Sequence, residues 1–595
     1  MTPHRRRATR RRALLLAVAA GWGLLLTALA WLGVTAYLVR GEAAALQRDL
    51  AQLQSQVEAG DLAAAQQTAA ALQQHAQRAH QLTTGPVWAM AAALPYVGAP
   101  LETARGTTAA TADLAEHGLT GLIDAAGLLQ PDQLRAADGT VSVERIAAAG
   151  PAIAQAHLAA VRALAAIEAL PHRTWLTRAD DARAMVQTKL STLTTTLASA
   201  DRAARIAPTL LGATTPQRIF LGFQNDAEAR GTGGLPGAFA ILVVDHGRFD
   251  FTHFESDDYL RGTPADPNGL DESVFGRDFA LAYRALGATT VYQNTNLSAH
   301  FPYAAQLWAA MWQAKSGERV DAAIAVDPTA LSYLLRAAGP TQLPDGTPLR
   351  ADDIVQLTQS TAYARFGDDQ DARKQFLTDI ARAASEHLLD PGIDAAALLR
   401  QAARAGGERR LLIWSADQAV QQELAATAFA GAVPVTADPY AGFTVNNAGG
   451  NKLDYYLDRS MTWSADGCGP TRRVTVSLTL TNSAPTSGLS DYVAGRLDRP
   501  PYPVGPVDNI ELVSYYATAG SQLVSATLDG QPLDGVVSLQ ELGHPMYRVG
   551  VELPAGQSRT ITLTLEEPTT GAEVTILRQP LVRALAVDVA EPGRG

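Results

Sequence analysis

A chain of 595 residues exceeds what one hydrophobic core supports and points to about three folding units. Its net charge is −11 although six of its first twelve residues are arginine, so the bulk is acidic and lacks the basic footprint that nucleic-acid binding requires. Its single cysteine, Cys468, excludes an intrachain disulfide and a thiolate cage for zinc or an iron–sulfur cluster, and reads as an inert thiol.

Residues 1–12 form a basic tail carrying Arg5, Arg6, Arg7, Arg10, Arg11 and Arg12 and no acid. Residues 13–39 then run without a charge, rich in Leu, Ala and Val and interspersed with Trp22, Trp31 and Tyr37, which is long enough to cross a bilayer. A cleavable signal peptide has a shorter apolar region, roughly 7 to 15 residues, so the stretch reads as an uncleaved signal-anchor. The arginines place the N-terminus in the cytoplasm by the positive-inside bias. The expectation is a single-pass protein of the inner (cytoplasmic) membrane of a bacterial-type envelope, with its bulk extracytoplasmic.

Residues 40–209 read as a helical stalk and spacer. Over 42–82, Leu46, Leu50, Leu53 and Val57 follow the four-three-four spacing of a helix with one sticky seam, able to dimerise. Gly85-Pro86, Leu94-Pro95 and Ala99-Pro100 interrupt it, and Ala-rich helical patterns resume over about 101–129 and 151–207. No catalytic spacing occurs there.

Near Pro216 the texture changes. Residues 218–223, 239–244 and 248–254 are β runs, with His246-Gly247 as a tight hairpin signal between the last two. A short strand over 322–326, amphipathic helices over 303–315, 328–338, 352–362 and 371–389, a strand over 410–414 and a helix from Asp417 describe an α/β domain over 210–430. Beyond Tyr440 the helical period is gone. Alternating runs over 473–480 and 559–565, with Gly, Pro and Asn turns between them, predict a β-sandwich over 440–575 and a C-terminal tail over 576–595, disordered after about 585. The fold class expected is therefore multidomain α, α/β and β.

Three stretches carry a resemblance: Gln224-Asn225-Asp226-Ala227-Glu228-Ala229-Arg230-Gly231-Thr232-Gly233-Gly234, Val320-Asp321-Ala322-Ala323-Ile324-Ala325-Val326-Asp327-Pro328 and Gly450-Asn451-Lys452-Leu453-Asp454-Tyr455-Tyr456. Together with the anchor and the β-rich end, they resemble the domain-of-unknown-function 4012 family of envelope proteins, which implies architecture and location but no activity. A fainter likeness joins Ala362-Tyr363-Ala364-Arg365-Phe366 and Asp371-Ala372-Arg373-Lys374-Gln375-Phe376-Leu377 to the LytR-CpsA-Psr family, which transfers glycopolymers from polyprenyl-pyrophosphate lipids. That resemblance implies pyrophosphate contacts at Arg365 and Arg373 and magnesium held by acids. This chain departs from the family pattern at Gly234-Leu235-Pro236-Gly237 and at Glu255-Ser256-Asp257-Asp258, where the family carries an arginine and an acid.

The residues also speak for themselves. At 100° per residue, Arg373 falls at the centre of the stripe made by Phe376, Leu377, Ile380, Ala384 and Leu388. A guanidinium pointing where the core points needs a carboxylate or phosphate partner. Residues 224–237 read as a long glycine-rich loop that presents backbone amides, with Asn225 and Arg230 as anion contacts and Asp226 and Glu228 as ligands for a divalent cation, the alternative being ion pairs internal to the loop. Asp257 and Asp258, in an acid-rich segment, are further candidates for Mg2+, the alternative being a solvated loop. Tyr259, Phe275, Phe279, Tyr283 and Tyr292 read as core or as the lining of a sugar or lipid groove. No HExxH and no Gly-x-Ser-x-Gly occurs, so metalloprotease and nucleophile-elbow hydrolase chemistry have no support.

The leading expectation is a weakly catalytic or noncatalytic envelope protein that binds a polyprenyl-phosphate-linked or other anionic glycan in surface-polysaccharide assembly. Its rivals are an active metal-dependent glycopolymer transferase and a protein-binding envelope scaffold.

Overall fold

A computed structural model describes residues 3–265, 274–467 and 469–590; Cys468 and the end of the tail lie outside the described residues. The chain divides into two compact units, one made of residues up to 134 with 142–208, the other of 135–141 with everything from 209 onward.

The first unit is helical. α1 (Pro3–Glu58) is one continuous helix, and its stretch from Leu16 to Val57 contains a segment long and apolar enough to span a membrane, none of it buried. The expected stalk is not a lone rod. Gly60, at a φ of 73°, turns the chain, and the Asp61 side chain accepts from the Ala64 amide to cap α2 (Leu62–Thr83), which packs back along α1. Leu53 of the expected seam is buried against Ala65, Ala69 and Leu72, whereas Leu50 and Val57 are exposed. After α3 (Pro86–Ala92), a long helix α4 (Ala99–Leu128) packs on α5 (Val143–Glu168), and α6 (Thr177–Leu210) adds to the bundle. The helix expected over 151–207 is two helices, because the segment around Pro171 breaks it. α5 is also apolar enough to span a membrane, but one face of it, Ala156, Ala159, Ala160, Ala163 and Ile167, is buried in the bundle.

The second unit is built on three larger sheets. β1 (Gln217–Arg230), β2 (Gly233–Asp245) and β3 (Arg248–Ser256) form an antiparallel meander. Its second turn is His246-Gly247, with both φ values positive as the two-residue hairpin turn demands. β4 (Ala322–Val326) lies parallel to β1 and β5 (Leu411–Ser415) antiparallel to β4, giving the order β3-β2-β1-β4-β5. One face is covered by α7 (Gly276–Tyr283) and α8 (Phe301–Ser316), where Phe220, Phe239, Trp308 and Trp312 form an aromatic core. Phe275, Phe279, Tyr283 and Tyr292 are buried in that core and Tyr259 packs against it. The other face carries α9 (Pro328–Ala338), a helix over 354–366 here called α10, and α11 (Gln370–His387). α12 (Ala395–Gly407) leads into β5.

The C-terminal region is sheet-rich. β6 (Tyr440–Asn447), β7 (Leu457–Asp466), β8 (Thr471–Asn482), β9 (Asn509–Tyr516), β10 (Gln522–Leu528), β11 (Gln531–Pro532), β12 (Val537–Glu541), β13 (His544–Leu553), β14 (Ser558–Pro568), β15 (Thr575–Arg578) and β16 (Ala586–Ala590) form two sheets, β11-β10-β14-β8-β7-β16 and β12-β13-β9-β6-β15. Alternate residues of both, such as Val474, Val476, Leu478 and Leu480 of β8 and Phe443 and Val445 of β6, fill one apolar core. The chain after 575, expected to be a tail, instead supplies β15 and β16, each added parallel to an existing strand. Nor does packing break at the expected domain boundary. Tyr440, Tyr516, Met546 and Leu577 join the aromatic core of the first sheet, and Gln579 donates to the Arg230 carbonyl at 2.6 Å.

Candidate functional site

The supposed glycine-rich loop at 224–237 is mostly strand. β1 and β2 pair out to Arg230 and Gly233, leaving Gly231 and Thr232 as the turn. The register holds one large irregularity: Asn225 faces Leu235 and Ala229 faces Gly234, so Asp226, Ala227 and Glu228 bulge out with no partner on β2. Such bulges re-aim side chains. Gly234 is required here, since a Cβ would overlap the backbone of Asn225. The bulge follows the segment where β1 runs parallel to β4, beside the C-terminal end of β4, the position where open α/β sheets bind ligands.

Asp226 and Glu228 enter two separate clusters. Asp226 is fully buried, and among the described residues neither of its oxygens has a partner at hydrogen-bond geometry. Beside it stand Asp327, which directly follows β4, and Arg410, which directly precedes β5. Asp327 accepts from the Ala330 amide at 2.6 Å as the N-cap of α9 and from Arg410 Nη1 at 2.6 Å; the same Nη1 lies 3.7 Å from Asp226. Arg410 also donates to the Leu581 carbonyl at 2.9 Å. Burial and the neighbouring Asp327 carboxylate push Asp226 well above the usual carboxylate range, against the pull of Arg410. Gln359 completes the cluster. It sits on a π-turn, Leu357–Thr361, inside α10, a local widening frequent at functional sites, and is buried beside the Asp226 carboxyl.

Glu228 is buried between two cations, 2.9 Å from Arg230 Nη2 and in direct contact with Lys452 Nζ. Burial raises its pKa, but Lys452 and Arg230 outweigh burial and hold it below the ordinary value. Arg230 spends its remaining donors on the carbonyls of Gln293, at 3.0 Å, and Ala229, at 2.8 Å.

Arg373 is buried, as its place in the apolar stripe predicts, yet among the described residues it meets no carboxylate. Nη1 donates to the Gly367 carbonyl at 2.8 Å, the guanidinium lies 3.8 Å from the Tyr492 ring centroid and 5.2 Å from that of Tyr363, and Nη2 has no hydrogen-bond partner. Lys452 lies over the same Tyr492 ring at 5.9 Å. Asn225 reaches this group as well, donating to the Tyr363 hydroxyl at 2.5 Å. One turn beyond Arg373 on α11, Leu377, Ile380 and Ala381 line a cavity of about 60 Å³ together with Phe223, Val326 and Leu331, with Asn225 and Thr358 at its polar side.

The structure therefore brings Asn225, Asp226, Glu228, Arg230 and Arg373 around one bulge and leaves the other candidates elsewhere. Arg365 is half exposed, 3.3 Å from Asp345 and against the rings of Phe366 and Phe376. Asp257 and Asp258 are each 2.7 Å from Lys374 Nζ. Among the described residues no group of three or more His, Cys, Asp or Glu side chains is placed to hold a metal ion. Asp226, Glu228, Asp257 and Asp258 all face cations of the chain itself, so they do not make a site fit for Mg2+. Sequence reading missed Gln359, Arg410 and Tyr492. Asp327-Pro328 was a visible helix-start signal, but nothing local marks the other three.

The buried acid gives the fold a pH signature. Between about pH 4, where an unfolded aspartate ionises, and its raised native pKa, only the unfolded state has lost the proton, so stability falls as pH rises through that window. Asp226→Asn removes this contribution. In melts from pH 4 to 8 the variant should gain on the parent as pH rises, and a difference that stays constant would mean that Asp226 titrates normally.

No curated protein and no solved structure matches the chain. Residues 214–363, which run from β1 through the bulge, β4 and the π-turn to Tyr363, match the family model described as protein of unknown function (DUF4012), and over that segment the chain carries this family's sequence.

Proposed function

We propose that the chain is a single-pass protein of the cytoplasmic membrane whose α/β region, a relative of the LytR-CpsA-Psr fold, binds a phosphate-bearing, lipid-linked glycan on the extracytoplasmic side without itself transferring it. The C-terminal sheets are read as a β-sandwich that buttresses this region. The observation that carries the reading is Arg373: a buried guanidinium that among the described residues has no carboxylate and one unbonded nitrogen is the arrangement an incoming phosphate completes. Lys452, paired with Glu228, lies over the same tyrosine ring, and a small apolar cavity opens one turn away along α11. Tethering by α1 raises the effective concentration of a membrane-borne ligand. The noncatalytic form is favoured over the metal-dependent transferase because each acid the transferase reading assigns to magnesium is paired with a cation of the chain.

The test is binding of farnesyl pyrophosphate by the full chain in nanodiscs. The parent should bind with an affinity that weakens with salt, and Arg373→Gln should abolish binding while costing about 2–4 kcal/mol of stability, since it strands no acid but gives up one hydrogen bond to a carbonyl and the stacking on Tyr492. Absence of binding by the parent, together with a large loss of melting temperature in Arg373→Gln, would make Arg373 a packing residue and end the proposal.

A further inference from the structure

We infer that one end of the helical unit is itself seated in the outer lipid–water interface, forming an aromatic collar around the emerging anchor; this rests on the reading of α1 as a membrane span. Along α1, residues 16–27 are exposed throughout, but Leu32 and Val39 are half-buried and Thr35 is buried. Those three share one face at three-four spacing. What covers Thr35 is Trp88 of α3, itself buried, whose Nε1 donates to Thr35 Oγ1 at 2.9 Å. From residue 13 to Thr35 a helix rises about 33 Å, against a hydrocarbon thickness of about 30 Å. Trp88 therefore stands at the level where the anchor leaves the hydrocarbon.

Around that level the unit turns apolar side chains outward. Met90 is 66% exposed, Leu94 54%, Tyr96 92%, Val97 55% and Trp175 64%, all on α3 or on the two loops that join α3 to α4 and α5 to α6. The loops are held together, Trp175 Nε1 donating to the Val97 carbonyl at 3.3 Å. The second is braced by Asp180, which accepts from the Thr174 amide at 3.0 Å and its hydroxyl at 2.8 Å. Tyr96 holds a φ of 65°, an unfavourable conformation for a non-glycine residue, with its ring in the open. Trp31 and Tyr37 of α1 are exposed at the same height, and His172, Arg173 and Arg178 flank Trp175 on the surface. Tryptophan and tyrosine are what the headgroup layer selects at either face of a bilayer. An apolar patch on a membrane-anchored unit, continuous with the span, is covered by the bilayer the span crosses.

The experiment uses the full chain in nanodiscs containing phosphatidylglycerol, on a Cys468→Ser background, with a bimane label at Met90→Cys or Val97→Cys on the collar, Leu25→Cys on the anchor or Leu399→Cys on the second unit. All are exposed positions, so folding is little disturbed. Lipid bearing a nitroxide high on its acyl chain should quench both collar labels severalfold more than Leu399→Cys. Collar labels no more quenched than Leu399→Cys, with Leu25→Cys quenched, overturn the collar and leave the anchor standing. An unquenched Leu25→Cys brings down the anchor reading and the collar with it. Collar emission that responds to protein dilution and not to nitroxide lipid assigns the patch to a second copy and also overturns the proposal.

Discussion

Arg410→Met is expected to destabilise the second unit by about 3–5 kcal/mol, seen as a large fall in its denaturation midpoint. The guanidinium bonds Asp327 at 2.6 Å and lies 3.7 Å from Asp226, and both acids are buried. Methionine fills similar volume but leaves Asp327 charged, out of water and without its cation. The reverse test separates charge from packing. Asp327→Asn keeps an oxygen to cap α9, because asparagine caps about as well as aspartate, and removes the charge. Combined with Arg410→Met it should restore more than half of the loss, a coupling that only neighbours show. A cost below about 1 kcal/mol for Arg410→Met alone would mean that water already reaches this cluster.

What the sequence makes legible here is periodicity, and what it hides is irregularity. The 100° rotation from Phe376, Leu377 and Ile380 puts Arg373 inside, and it is inside, because a helix obeys its period whatever its neighbours. Its contact with Tyr492 joins residues more than a hundred positions apart, and no local pattern encodes that. The strands over 218–223 and 239–244 are visible as β runs, but the bulge at Asp226–Glu228 breaks the alternation in a stretch whose glycines imitate a loop. Those glycines answer to close packing: at Gly231 a Cβ would strike the backbone of Leu297 and Ser298. The π-turn that delivers Gln359 costs α10 one register step and leaves no mark in composition. Gly60-Asp61 is a weaker stop signal than Gly85-Pro86, which is why α1 and α2 read as one stalk. β15 and β16 join their sheets in parallel, without the hairpin turn that would announce them.

Glu228→Gln should be more damaging than loss of a single hydrogen bond suggests, because the carboxylate it removes is the counter-ion of two buried cations. Lys452 is buried with its ammonium on Glu228, and Glu228 is the main reason its pKa stays raised in spite of burial. Without that acid, burial favours the neutral amine, and the fold either surrenders a proton or carries an uncompensated charge. Arg230 is better insured, since its carbonyl contacts to Gln293 and Ala229 survive. The expected loss is about 3–5 kcal/mol. Because the orphaned lysine would then be neutral in the folded state and charged in the unfolded state, the penalty should grow as pH falls and shrink toward alkaline pH. Adding Lys452→Met to Glu228→Gln replaces the stranded amine with an apolar chain of similar length and should recover most of the loss, with no remaining pH dependence from this pair. Equal losses in the single and double variants, measured by urea denaturation at pH 6 and 9, would show that Glu228 acts through Arg230 and that Lys452 is incidental to the cluster.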